Sequence, residues 1–149
     1  MRIGIANDHS GVALKKALVA HLESLGHEVI NFGTDSEDSV DYPNLGYELS
    51  GAVRDKGVEL GVAICGTGIG ISLACNKVKG IRCAVCSDAY SARMARCHND
   101  ANIIALGSRV IGEELAKLLV SEFVNNEFEG GRHQRRVALI SAIEEKENV

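Results

Sequence analysis

The chain has 149 residues, 46% hydrophobic and 24% charged, which is the profile of a globular domain long enough to bury a core. Its net charge of −4 leaves no basic footprint and argues against nucleic acid as the main partner. No apolar run reaches membrane-spanning length, and Met1-Arg2-Ile3-Gly4 enters a strand without a signal-peptide pattern, so no membrane is expected and the cytoplasm is the expected location.

Arg2 to Ala6 reads as a first strand. Ser10 is placed to cap a helix in which Leu14, Leu18, Leu22 and Leu25 recur at helical spacing. Gly26 closes that helix, and His27 to Phe32 reads as a second strand. Gly33 to Tyr42 is acidic and rich in turn residues, a loop expected to be mobile. Pro43 then opens a helix to about Lys56, ended by Gly57. Gly61 to Ile64 is short and apolar without period-two polarity, as a buried strand is, and a short helix follows to Val78. Ile81 to Cys86 reads as a fourth strand, Asp88 to Cys97 as a helix and Asn102 to Leu106 as a fifth strand. Glu113 to Asn125 is helical, with Leu115, Leu119 and Phe123 on one stripe, and Gly130-Gly131 breaks the chain before a last helix over about 132–145. Strands alternating with helices predict a five-stranded parallel sheet covered on both faces, a three-layer α/β/α Rossmann-like arrangement. One proline and no low-complexity segment predict a single domain over 1–149.

Five cysteines, an odd count in a chain read as unexported, point to free thiols. Cys83 and Cys86 have CxxC spacing, but on a strand residues three apart face opposite sides, which suits core packing better than a metal or a redox pair. No second cysteine pair and no paired histidine spacing supports a zinc site, so no metal is expected.

In parallel sheets ligands sit beyond the carboxyl ends of the strands. That rule collects Asn7-Asp8-His9-Ser10, the stretch Cys65-Gly66-Thr67-Gly68-Ile69-Gly70, Ser87-Asp88 and Gly107-Ser108-Arg109. A glycine-rich turn from strand to helix lets a ligand approach the main chain and directs backbone N–H groups at an anion. A cysteine at the mouth of that turn adds a thiol whose ionised form those donors would favour. The plainer account makes Cys65 a small strand residue and the glycines a tight turn, but it leaves three alternating glycines unexplained. Asp8 suits a helix start as well as proton transfer. His98-Asn99 falls between a helix and a strand, where a helix end and turn are the ordinary reading. Arg132, His133, Arg135 and Arg136 fit a solvated basic face, yet Arg132 and Arg136 stand one helical turn apart and could hold a phosphate together.

Gly4-Ile5-Ala6-Asn7-Asp8-His9, Tyr42-Pro43, Cys65 to Gly70, Asn76-Lys77-Val78, Gly80-Ile81-Arg82, His98 to Asn102 and the arginine cluster, in this order, cover essentially the whole chain. Together they resemble the ribose/galactose isomerase family in its type B ribose-5-phosphate isomerase branch. The resemblance implies the strand order 2-1-3-5-4, a homodimer or dimer of dimers with shared active sites, and neither metal nor organic cofactor. It implies an aldose–ketose isomerase of the pentose phosphate pathway that interconverts ribose 5-phosphate and ribulose 5-phosphate through a cis-enediolate.

Such a reaction needs a base, an anion-stabilising pocket, a group that opens the sugar ring and a phosphate grip. By resemblance Cys65 is the base with Thr67 beside it, and the backbone N–H groups of Gly66, Thr67, Gly68, Ile69 and Gly70 stabilise the enediolate. His98 is the ring-opening acid and Asp8 handles the hydroxyl protons. His9, Arg132 and Arg136 bind phosphate, and Tyr42, Asn99 and Arg109 line the site. Some members of the family use a glutamate directly after the glycine loop; here that position is Ile71, which leaves Cys65 as the base. Allose 6-phosphate or another hexose phosphate is the alternative substrate. A nucleotide-binding module is the alternative of a different class, disfavoured because the loop follows the third strand and lacks G-x-G-x-x-G spacing. A non-catalytic binding domain leaves Cys65, His98 and the arginines without a purpose. Cys65 follows a strand while His98 precedes one, so the two are expected at opposite edges of the sheet, with His98 entering the site from a partner subunit.

Overall fold

Residues 1–147 are described by a computed structural model, and they alternate strand and helix until the last two helices. β1 (Arg2–Asn7) passes through a 3-10 turn (His9–Gly11) into α1 (Val12–Ser24), then β2 (Glu28–Asn31) and α2 (Tyr42–Arg54). β3 (Leu60–Cys65), α3 (Ile69–Cys75), β4 (Cys83–Val85), α4 (Ala89–Asn99), β5 (Ile103–Gly107), α5 (Glu113–Val124) and α6 (Arg132–Glu147) follow. Of the domain expected over 1–149, residues 148 and 149 lie outside the described range. The five strands pair in parallel in the order β2-β1-β3-β5-β4, which is the order the resemblance implies.

β3 is central, and all six of its residues are buried. Its side chains alternate between two cores, as strand geometry requires. Leu60, Val62 and Ile64 join Leu14, Leu18 and Leu22 of α1 and Leu119 and Phe123 of α5 on one face. Ala63 and Cys65 join Leu49 and Val53 of α2 and Ile71 and Cys75 of α3 on the other. Truncating a fully buried leucine such as Leu18 or Leu106 to alanine therefore costs about 2–5 kcal/mol. The CxxC pair divides as strand geometry predicts: Cys86 belongs to the first core and Cys83 packs on the second.

Four expectations are corrected at element ends. Leu25 leaves the α1 stripe and is 43% exposed, because the helix stops at Ser24 and Gly26 turns left-handed at φ 86°. Leu115 is part-exposed at the start of α5, whose buried stripe is Ala116, Leu119, Val120 and Phe123. Ser10 does not cap α1; Asp8 caps the 3-10 turn before it, its carboxylate accepting from the Ser10 N–H and Oγ. Finally, α4 runs on through His98 and Asn99. It ends only at Asp100, left-handed at φ 47° and held by Arg82 and Arg96. Among the described residues no helix is long and apolar enough to cross a membrane.

Candidate active site

The chain leaves β1 toward β2 and returns to β3 on the other side, so the loops after β1 and β3 diverge and open a crevice at the sheet's carboxyl edge. The register places Asn7 beside Ile64 and Cys65 beside Gly107, which gathers the ends of β1, β3 and β5. A cavity of about 320 Å³ lies there between Asp8, Tyr42, Cys65 and Gly66, Thr67, Ile69 and Gly70 of the loop. Cys65 is 4% exposed, and its Sγ accepts the Gly68 N–H at 3.2 Å. A donor directed at the sulfur complements the charge of a thiolate. The Ile69 N–H is engaged with Thr67 Oγ1 at 3.2 Å, so two of the loop's five amides are already directed at its own side chains.

Two glycines of the loop have distinct steric reasons. Gly68 is left-handed at φ 77°, and a Cβ there would meet the Leu106 carbonyl carbon at 2.8 Å. A Cβ at Gly70 would meet the Tyr42 ring at 2.5 Å, so glycine lets the tyrosine close that wall of the cavity. Arg109 lies over Gly66, and its N–H donates to the Gly66 carbonyl at 3.0 Å. On the β1 side, Asp8 Oδ1 accepts from Ser10 N at 2.9 Å and from Ser10 Oγ at 2.6 Å. Ser10 Oγ in turn meets Ser108 Oγ at 3.1 Å, and Ser108 donates to the Cys65 carbonyl at 3.2 Å. His9 Nδ1 accepts the Val40 N–H at 3.3 Å, which puts the proton of its neutral ring on Nε2. Burial pushes the Cys86 thiol up to about 11, and a hydrogen bond from the Cys83 thiol to Cys75, together with burial, raises Cys83.

The other candidates assemble elsewhere. His98 stacks on His133 with ring centroids 4.0 Å apart and planes 12° from parallel. Both Nε2 atoms face Glu129 Oε2, at 3.8 and 3.9 Å. Burial, then the nearby His98 and Arg132, hold His133 below the usual imidazole range. Among the described residues this trio forms the one group of three ligating side chains within 4.8 Å. Arg132 and Arg136 are exposed on α6, and Asn99 is exposed at the end of α4. None of His98, Asn99, Arg132 and Arg136 lines the Cys65 cavity.

The family model for ribose/galactose isomerases matches residues 3–140. The chain belongs to the ribose/galactose isomerase family. It is 50% identical over 147 residues to ribose-5-phosphate isomerase B of Escherichia coli, covering 99% of each chain. It also superposes on ribose-5-phosphate isomerase B of Clostridium thermocellum with a TM-score of 0.96 and 52% identity, covering 98% of this chain and 99% of that one. A third relative, ribose-5-phosphate isomerase B from Mycoplasma genitalium solved with bound ribulose-5-phosphate, gives a TM-score of 0.92 and 37% identity over 97% and 96% of the two chains.

Within this isomerase-family fold, three residues of stretches that the sequence singles out take parts it does not assign. Ser108 joins Asp8 to the end of β3, which only the adjacency of β3 and β5 reveals. His133 pairs with His98 across 35 positions, a distance no local spacing encodes. Asn7 is buried behind Asp8, its Nδ2 donating to the Asp8 and Thr34 carbonyls at 2.8 and 3.0 Å; a buried amide at a strand end was the available signal.

Proposed function

We propose that this isomerase-family chain interconverts ribose 5-phosphate and ribulose 5-phosphate in the pentose phosphate pathway, acting in the cytoplasm as one domain over 1–149. The observation that carries the reading is the Cys65 thiol, enclosed with Asp8 and Tyr42 and facing the Gly68 amide. In the open-chain aldose the Cys65 thiolate takes the proton from C2, and the C1 carbonyl oxygen becomes an enediolate oxygen beside the Gly66–Gly70 loop. The thiol returns the proton to C1, while Asp8 carries the hydroxyl proton from the C2 oxygen to the C1 oxygen. Ser10 holds Asp8 Oδ1, which leaves Oδ2 for the sugar. Thr67 supports the base, and the Nε2–H of His9 donates to phosphate together with Arg132 and Arg136. Side chains and main chain meet each chemical requirement, so the reading calls for no organic cofactor and no metal.

The reading includes a second copy of the chain. Ring opening by His98 must act on the sugar that Cys65 deprotonates, yet His98 ends a helix leading into β5 while Cys65 ends β3. A partner that brings its own His98, Asn99, Arg132 and Arg136 to the Cys65 cavity resolves this, and the assembly is then a homodimer or dimer of dimers. Leu139, Ile140 and Ile143 of α6 and Val85 of β4 are exposed apolar side chains suited to such a contact. The test is a coupled assay with ribose 5-phosphate, allose 6-phosphate and galactose 6-phosphate. Turnover of ribose 5-phosphate above both hexose phosphates is expected; preference for a hexose phosphate overturns the substrate assignment.

A further inference from the structure

Lys15 lies on α1 outside the cavity, and its side chain is 5% exposed. An ammonium buried to this degree is costly unless its donors are satisfied. Its Nζ reaches the Thr34 carbonyl at 2.6 Å, Asp35 Oδ1 at 2.6 Å and Asn31 Oδ1 at 3.3 Å. All three donors of the ammonium are therefore directed at one stretch, from the end of β2 into the 33–41 loop. The Lys15 hydrogen bond draws the Asp35 carboxyl below its ordinary range, although that carboxylate faces solvent.

The stretch that Lys15 grips touches the site twice. Thr34 exchanges hydrogen bonds with Asn7, its N–H donating to the Asn7 carbonyl at 3.2 Å and its carbonyl accepting Asn7 Nδ2 at 3.0 Å, directly before Asp8. Further along, the Val40 N–H reaches His9 Nδ1 at 3.3 Å, and the chain then enters α2 at Tyr42. The sequence alone suggests a mobile loop here, whereas the structure shows one anchored from beneath.

We infer that Lys15 is a positioning residue for phosphate binding: it clamps the 33–41 loop so that the Val40 amide orients His9 with its Nε2–H toward the phosphate. The inference rests on the proposed role of His9 in the isomerase reading, and it assigns Lys15 no contact with substrate.

Lys15→Met tests it, with Asp35→Ala as a milder variant that leaves the ammonium its Thr34 and Asn31 acceptors. Losing the orientation of one hydrogen bond to a charged phosphate is expected to raise KM about tenfold. On the same basis kcat stays within about twofold, and affinity for inorganic phosphate falls in parallel with the rise in KM. Faster hydrogen exchange of the Val40 amide should accompany the change, and Asp35→Ala should move each quantity the same way by less. A lowered melting temperature with unchanged KM, phosphate affinity and Val40 exchange makes Lys15 a purely structural residue and overturns the proposal. If Lys15→Met does not fold, Asp35→Ala decides by the same readouts. Phosphate affinity and amide exchange stay measurable even if ribose 5-phosphate proves not to be the substrate, so the two readings fail separately.

Discussion

The cavity around Cys65 and the corner where α4 meets α6 hold the two halves of the candidate chemistry, and they are built differently. In the cavity, Cys65 is fixed by Gly68, Asp8 by Ser10 and Ser10 by Ser108, the last bond joining segments that the central strands bring together. At the corner, His98 leans on His133, both face Glu129 without a close hydrogen bond, and Arg132 and Arg136 extend into solvent. The cavity is organised within one chain; at the corner, a hollow of about 390 Å³ between α4 and α6 is lined by Asn99 but by none of His98, Arg132 and Arg136. The difference teaches that a strand-end site can be complete in geometry while remaining incomplete in chemistry. In the proposed reading the missing groups come from the corner of a second copy.

The largest effect separating the two regions is expected at Cys65. Cys65→Ala removes a small, buried sulfur, so the fold and phosphate binding should persist. Loss of the base should lower the rate ~10²–10⁴-fold and abolish exchange of the substrate's transferable hydrogen with solvent deuterium. Near-native turnover in this variant would remove the cavity from the chemistry altogether.

A smaller effect is expected at the corner, and in binding instead of rate. Arg136 is exposed, so Arg136→Ala should leave the melting temperature unchanged. A lost charge-assisted bond should weaken a phosphorylated inhibitor roughly ten- to hundredfold while unphosphorylated sugar binds as before. Equal weakening of both ligands would mark Arg136 as part of an ordinary solvated face.

What could be read beforehand follows the same division. β3 is apolar throughout and ends in alternating glycines, so its burial and its turn are local properties of the sequence. The loop's two amides directed at Cys65 and Thr67 were not legible, because that depends on φ at Gly68 and on how closely Leu106 approaches it. Element ends were the weakest point: α4 runs two residues past the expected stop because Asp100 adopts a left-handed cap braced by two arginines. Lys15 does not stand out in the sequence, since its partners lie across a loop that local periodicity does not see.

The last prediction turns the comparison into a count of sites. If the corner of one copy completes the cavity of another, lesions in the two regions should complement when subunits mix. Cys65→Ser and His98→Asn are each expected to be inactive alone. In a mixed dimer one site then carries both lesions, and the other combines an intact Cys65 with an intact His98. Random reassortment of equal amounts makes half the dimers mixed, with one working site of two, so about a quarter of native activity should return in a closed twofold assembly. A dimer of dimers built from the same pair gives the same fraction. Subunit exchange demonstrated by mass-tagged chains without any recovered activity would place Cys65 and His98 in the same chain's site, and the corner would then have to reach its own cavity.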